Sequence, residues 1–137
     1  MTDRRSIVKV LMAQFPLETH SRGLLTVSTM LRDEGMEIVL IGNALPERIV
    51  ECAIQEDADV VGISTYCGGE LILAAQLMKA AETRKIKGRT VFLIGGIFPL
   101  DSIPKLKKMG FSGVFPPGSA TKDIVLCIHN ALSSLEK

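Results

Sequence analysis

Long apolar runs are missing from this 137-residue chain. None reaches the ~18 residues needed to cross a bilayer, so no membrane partner is expected. The first apolar run, Ile7–Met12, is broken by Lys9 and is too short for the core of a secretory leader. An excess of one charge is missing too. Lys and Arg number 16 against 15 Asp and Glu, a formal net charge of +1. That leaves neither a basic footprint for nucleic acid nor an acidic tail. The three cysteines, Cys52, Cys67 and Cys127, are far apart, and no CxxC, HxxH or HExxH spacing occurs. A zinc site built from protein ligands alone is therefore not expected. Unpaired cysteines without a leader point to a reducing, cytoplasmic setting. There is no internal repeat, linker or low-complexity stretch.

What is present describes one domain over residues 1–137. Apolar residues make up 47 % and charged residues 23 %, which excludes disorder. The length suffices for a core without disulfides. Five short apolar, β-branched runs stand out: 7–12, 37–41, 60–64, 90–95 and 113–115. The middle ones are apolar on successive residues, as strands buried on both faces are. Helical periodicity separates them. Residues 22–33 place Leu24, Leu25, Val27, Met30 and Leu31 near one face and stop at Gly35. Residues 46–56 open on Pro46, and residues 70–84 repeat Leu71, Ala74, Ala75, Met78 and Ala81. Asp101 is expected to cap a short helix ending at Gly110, and Thr121 a last helix with Ile124, Val125, Ile128, Leu132 and Leu135 inward. The order βα repeated five times predicts an open, doubly wound, five-stranded parallel α/β sheet.

Such sheets bind ligands beyond the carboxyl ends of their strands. The loops after the first, third and fourth runs are the informative ones. They read Ala13-Gln14-Phe15-Pro16-Leu17-Glu18-Thr19-His20-Ser21-Arg22-Gly23, Ser64-Thr65-Tyr66-Cys67-Gly68-Gly69 and Gly95-Gly96-Ile97-Phe98-Pro99. A turn has no need of Glu18 two residues before His20. A metal-binding imidazole does, because a carboxylate on its second N–H fixes the tautomer and raises its basicity. A helix cap or a solvated His is the plainer alternative. Gly95-Gly96 reads either as close backbone approach to a ligand or as a tight strand-to-helix turn. Pro116-Pro117-Gly118-Ser119 is a rigid turn whose N–H groups can also hold a polar tail. Cys52, Cys67 and Cys127 read as packing residues, and His129 and Arg22 as surface ones.

These three loops resemble the cobalamin-binding domain of adenosylcobalamin-dependent mutases and methionine synthase. Its signature is D-x-H-x-x-G after the first strand, S-x-L after the third and G-G after the fourth. Here the counterparts are Glu18-Thr19-His20-Ser21-Arg22-Gly23, Ser64-Thr65-Tyr66 and Gly95-Gly96, in the same order. Residues 31–38, 46–57 and 106–110 further resemble methylmalonyl-CoA mutase. The resemblance implies the flavodoxin-like, Rossmann-like class of α/β fold. It also implies adenosylcobalamin or another cobamide, bound with its own base displaced from cobalt and inserted into the domain. His20 would then be the protein's ligand to cobalt, with Glu18 orienting it. Leu17, Thr19, Ser21, Gly23, Ser64, Thr65 and Tyr66 would surround the cofactor with Gly95, Gly96, Ile97 and Phe98, and Pro117, Gly118 and Ser119 would hold the tail.

Three departures bear on that implication. Glu18 replaces Asp and adds a methylene. Gln14 stands where such mutases carry Lys, six residues before the His. Tyr66 replaces the Leu of S-x-L, which implies a pocket that takes a different lower base or holds the usual one more loosely. No catalytic residue is expected in this chain, because a (β/α)₈ barrel of about 250 residues is needed to enclose the substrate. The resemblance implies the small subunit of an acyl-CoA carbon-skeleton mutase, partnered by a large catalytic subunit. The alternative is a corrinoid methyl-carrier protein. Those place a helical cap before this fold, and only about six residues precede the first run here.

Overall fold

The computed structural model describes residues 7–16, 22–65 and 70–135. Five strands and five helices alternate: β1 Lys9–Gln14, α1 Arg22–Asp33, β2 Glu37–Asn43, α2 Pro46–Glu56, β3 Val60–Thr65, α3 Glu70–Thr83, β4 Val91–Gly96, α4 Ser102–Met109, β5 Gly113–Phe115 and α5 Thr121–Leu135. The strands form one sheet in the order β2-β1-β3-β4-β5, and every adjacent pair is parallel. The expected doubly wound sheet is the one observed.

Burial explains the apolar runs. Every residue of β3 is buried, because helices cover both faces. On one face α2, α3 and α4 pack Ile49, Val50, Leu77 and Leu106 against Leu11, Val61 and Phe92. On the other, α1 and α5 pack Leu24, Leu31, Ile124 and Ile128 against Val10, Met12, Val60 and Leu93. Ile128 is fully buried and anchors α5 to the sheet. Truncation to Ala is expected to cost about 2–5 kcal/mol, read as a lower midpoint in urea denaturation.

Periodicity misplaced some details. Leu25 is half exposed, and Ser28 takes an inward place on α1 by donating its hydroxyl to the Leu24 carbonyl at 2.7 Å. Ala75 lies outside and Leu77 inside, and Leu135 is partly exposed. Asp101 precedes α4 but makes no side-chain cap bond. Thr121 does not cap α5; it is the first helical residue, and its hydroxyl faces Met30 Sδ at 3.2 Å. Of the cysteines, Cys52 is buried. Cys127 is partly buried with Sγ 3.5 Å from the Ser112 carbonyl. Burial pushes the Cys127 thiol above its ordinary pKa, and Lys107 pulls against that. Among the described residues, no helix is long and apolar enough to cross a membrane.

Candidate functional site

The chain passes from β1 out to β2 and returns past β1 to β3, so connections diverge at the carboxyl ends of β1 and β3. That switch point is where an open sheet leaves a crevice. Strand register brings the three sequence motifs together there. Asn43 pairs with Gln14, Gln14 with Ser64, Ser64 with Gly95, and Gly95 with Phe115. One lateral row across all five strands thus joins the ends of the segments carrying the motifs.

Two bonds fix where the first connection leaves the sheet. Ala44 N–H donates to the Gln14 carbonyl at 2.9 Å, and the Asn43 amide donates to the Phe15 carbonyl at 3.0 Å. Phe15 itself is buried against the α2/α3 core. Gln14, the residue in place of the family's Lys, is buried at the end of β1. Leu17, Glu18, Thr19, His20 and Ser21 follow in the connection, and Tyr66 and Cys67 lie in the next one. All of them fall outside the described residues.

Beside the row, between the sheet and helices α1 and α5, is a cavity of about 170 Å³. Alternation along the strands decides what faces it. Met12, Gly62, Ser64, Leu93 and Gly95 face this side, and Leu24, Val27, Leu31 and Ile124 close it from the helices. Phe115 through Ser119 form its rim. Two glycines keep the floor low. A methyl on Gly62 would come 2.8 Å from Met12 Sδ, and one on Gly95 would come 3.3 Å from the Phe115 carbonyl. The side-chain polar groups of the lining are the hydroxyls of Ser64 and Ser119. Ser119 already donates its proton to the Pro116 carbonyl at 2.7 Å.

Of the expected site residues, Gly23, Ser64, Gly95, Gly96, Pro117, Gly118 and Ser119 line this cavity. Thr65, Ile97 and Phe98 do not. Thr65 is buried in the sheet, Ile97 stands exposed, and Phe98 packs against the opposite core. Gly96 has a second duty. Its φ is +142°, and a Cβ there would overlap the Thr65 carbonyl oxygen. Motif reading missed Met12, Gly62, Leu93 and the apolar wall from α1 and α5. Gly62 carried a usable signal, since a glycine inside a buried strand marks close approach of something else. The wall carried none, because its residues look like ordinary core. Behind the row, the Ser102 hydroxyl donates to Glu70 Oε2 at 3.2 Å, tying the starts of α4 and α3. Both groups are buried.

Among the described residues the slot is apolar, with a glycine floor and the hydroxyls of Ser64 and Ser119 as its side-chain polar groups, a lining that suits a flat aromatic group. Residues 8–126 match the family model of the B12 binding domain. The chain is 30 % identical to the 2-hydroxyisobutanoyl-CoA mutase small subunit of Aquincola tertiaricarbonis over 128 residues, 93 % of each chain. It is 35 % identical to the pivalyl-CoA mutase small subunit of Xanthobacter autotrophicus over 123 residues, 88 % of this chain and 81 % of that one. Among solved structures, a cobalamin-binding protein from Desulfitobacterium hafniense superposes with a TM-score of 0.76 at 18 % identity. The match covers 89 % of this chain and 58 % of that one, and it speaks to the fold alone.

Proposed function

The chain belongs to the B12-binding domain family, and we propose that it is the cobamide-holding small subunit of an acyl-CoA carbon-skeleton mutase. The observation that carries this reading is the apolar cavity beside the row joining Gln14, Ser64 and Gly95. It opens at the sheet end from which the Glu18–His20 segment departs. The two small subunits of acyl-CoA mutases, similar over nearly their whole length, support the reaction class.

Under this reading the cobamide is adenosylcobalamin, which supplies a cobalt–carbon bond able to start radical chemistry. His20 would provide the protein's ligand to the metal, and Glu18 would hold its imidazole in one tautomer. Gly62, Gly95 and the Ser64 hydroxyl would hold the cofactor's base in the cavity, and Gly118 and Ser119 its polar tail at the rim. A separate catalytic subunit would cover the cofactor and exclude water from the reacting groups. This chain holds and orients; the other transforms the substrate.

The cavity's composition makes a prediction. A benzimidazole base brings no exocyclic donor into the slot, whereas adenine brings an amino group. Among the described lining residues the Ser64 hydroxyl can serve one of the amine's two N–H groups; the second, buried without a partner, costs about 1–3 kcal/mol, a factor of about 10–100 in affinity. Titration of the purified chain with the two cobamides, followed by visible absorption, is expected to favour the benzimidazole form by that factor. Equal affinities would refute the assignment of the slot to the base, and no binding of either at micromolar concentration would refute the cofactor reading itself.

A further inference from the structure

The buried polar pair behind the row has no part in the cavity's wall. Glu70 is 6 % exposed and Ser102 4 %, and neither lines the cavity beside α1 and α5. Their hydrogen bond spans 32 residues of sequence and joins the first residue of α3 to the first residue of α4. Among the described residues, no ion pair includes Glu70, and the Ser102 hydroxyl is the side-chain partner of its carboxylate. Adhesion between the two helices does not need this bond. Helices α3 and α4 pack against each other, and Leu77 and Leu106 are fully buried in the core they share. Apolar groups of the same shape in place of the pair would be close to neutral for stability. Apolar burial is non-directional, however, whereas a hydrogen bond imposes a distance and an angle. A satisfied buried polar pair therefore specifies one arrangement of the two helix starts.

Topology gives that arrangement a consequence. Strands β3 and β4 are paired to their ends, Thr65 with Gly96, and the Ile97 N–H donates to the Thr65 carbonyl at 3.2 Å. From this last rung the chain leaves as two connections, residues 66–69 to α3 and residues 97–101 to α4. Each connection is held at both ends, by the rung on one side and by the Glu70–Ser102 bond on the other. The second is drawn into a tight turn just before the tie. There the Ser102 N–H donates to the Pro99 carbonyl at 2.9 Å, and the Ile103 N–H to the Leu100 carbonyl at 3.1 Å. Both connections start at the cavity, since Ser64, Gly95 and Gly96 line it.

We propose that Glu70 and Ser102 are positioning residues for the cofactor site: their bond holds the two connections that leave the cavity in one arrangement, so that the cobamide meets them preformed. The inference rests on the cobamide reading above and deepens it. Neither residue reaches the cavity, so both act through the connections they anchor. Apparent affinity scales with the fraction of molecules in the competent arrangement. Connections that adopt it only about one tenth of the time would weaken binding about tenfold.

The test compares the full chain with Glu70→Gln and with the double variant Glu70→Leu, Ser102→Ala. Affinity for adenosylcobalamin is read by visible absorption, and stability by urea denaturation of the cofactor-free chain. Removing both members of a buried polar pair is close to neutral for folding. The double variant is therefore expected to keep or exceed the parental midpoint and to bind about 10-fold more weakly. Glu70→Gln keeps an oxygen that accepts the Ser102 proton, and it is expected to bind as the parent does. Stability kept, affinity lost, and affinity restored by the conservative change form a signature that a purely structural pair does not give. A double variant that binds at parental affinity overturns the proposal. So does one whose midpoint falls together with its affinity, and so does a Glu70→Gln variant that binds as weakly as the double variant. A parent that binds no adenosylcobalamin overturns the cofactor reading beneath the proposal.

Discussion

Replacing His20 by Ala is expected to remove the nitrogen hyperfine splitting from the EPR spectrum of the Co(II)-loaded chain and to lower cobamide affinity by more than about 100-fold. On the proposed reading His20 would be the protein's nitrogen ligand to the cofactor's metal, so its loss would remove that bond outright. Partners that only orient a ligand are already worth about 10–100-fold, and removal of the ligand itself must exceed that. On the same reading Glu18→Ala belongs in the lower range, since it would keep the imidazole and free only its tautomer. The two variants separate ligand from orienter: splitting is lost in the first and kept, with weaker binding, in the second. Splitting that persists in His20→Ala would falsify the assignment. The prediction rests on chain position as well as residue type. The segment bearing Glu18 and His20 begins at Phe15, which is pinned to β2 through Asn43, at the edge of the row that carries Ser64 and Gly95.

Gly96→Ala is expected to destabilise the fold by about 2–4 kcal/mol, a large share of the 5–15 kcal/mol that holds a typical domain. A backbone φ of +142° excludes side chains at a cost of about 1–3 kcal/mol. The new methyl would also be driven into the Thr65 carbonyl, which accepts the Ile97 N–H at 3.2 Å, and a lost hydrogen bond adds about 1 kcal/mol. Two neighbours serve as controls. Gly118, at φ +90°, has nothing within 4 Å of a Cβ, so Gly118→Ala is expected to show the conformational cost alone. At Gly95 a methyl meets the Phe115 carbonyl at 3.3 Å, a tight contact that a small backbone shift must relieve, far milder than the overlap at Gly96. Gly95→Ala is expected to cost less stability than Gly96→Ala and to weaken cobamide binding, because it raises the floor of the cavity. Urea denaturation and cobamide titration on all three variants read the two effects separately. Equal stability of Gly96→Ala and Gly118→Ala would show that the Thr65 contact relaxes at no cost.

Much of the architecture was readable before any coordinates. Successive apolar residues in Val60-Val61-Gly62-Ile63 mean a strand covered on both faces, and β3 is buried throughout. Pro46 marks the start of α2, and Gly110 its counterpart at the end of α4, because each residue's backbone restricts what can follow. Helix faces were less legible. Leu25 and Ser28 exchange places on α1, since a serine that bonds its own helix backbone loses little by burial. Caps were the least legible. Asp101 has the right chemistry but makes no capping bond, and Thr121 is already the first residue of its helix.

The site divides along the same line. Its chemistry is local: an imidazole with a carboxylate two residues before it, and glycines after a buried strand, are meaningful in any fold that exposes them. Those residues the sequence names by itself, together with the alternation that places them all at one end of a parallel sheet. The cavity is not local. Met12, Gly62 and Leu93 become neighbours only through strand register, and Leu24, Leu31 and Ile124 become its wall only because α1 and α5 cross the same face. Nothing in an apolar side chain's own sequence context tells core from ligand wall, because the same transfer free energy drives both. The tertiary structure alone decided how large the slot is, how few polar groups it offers, and which apolar residues were left facing outward.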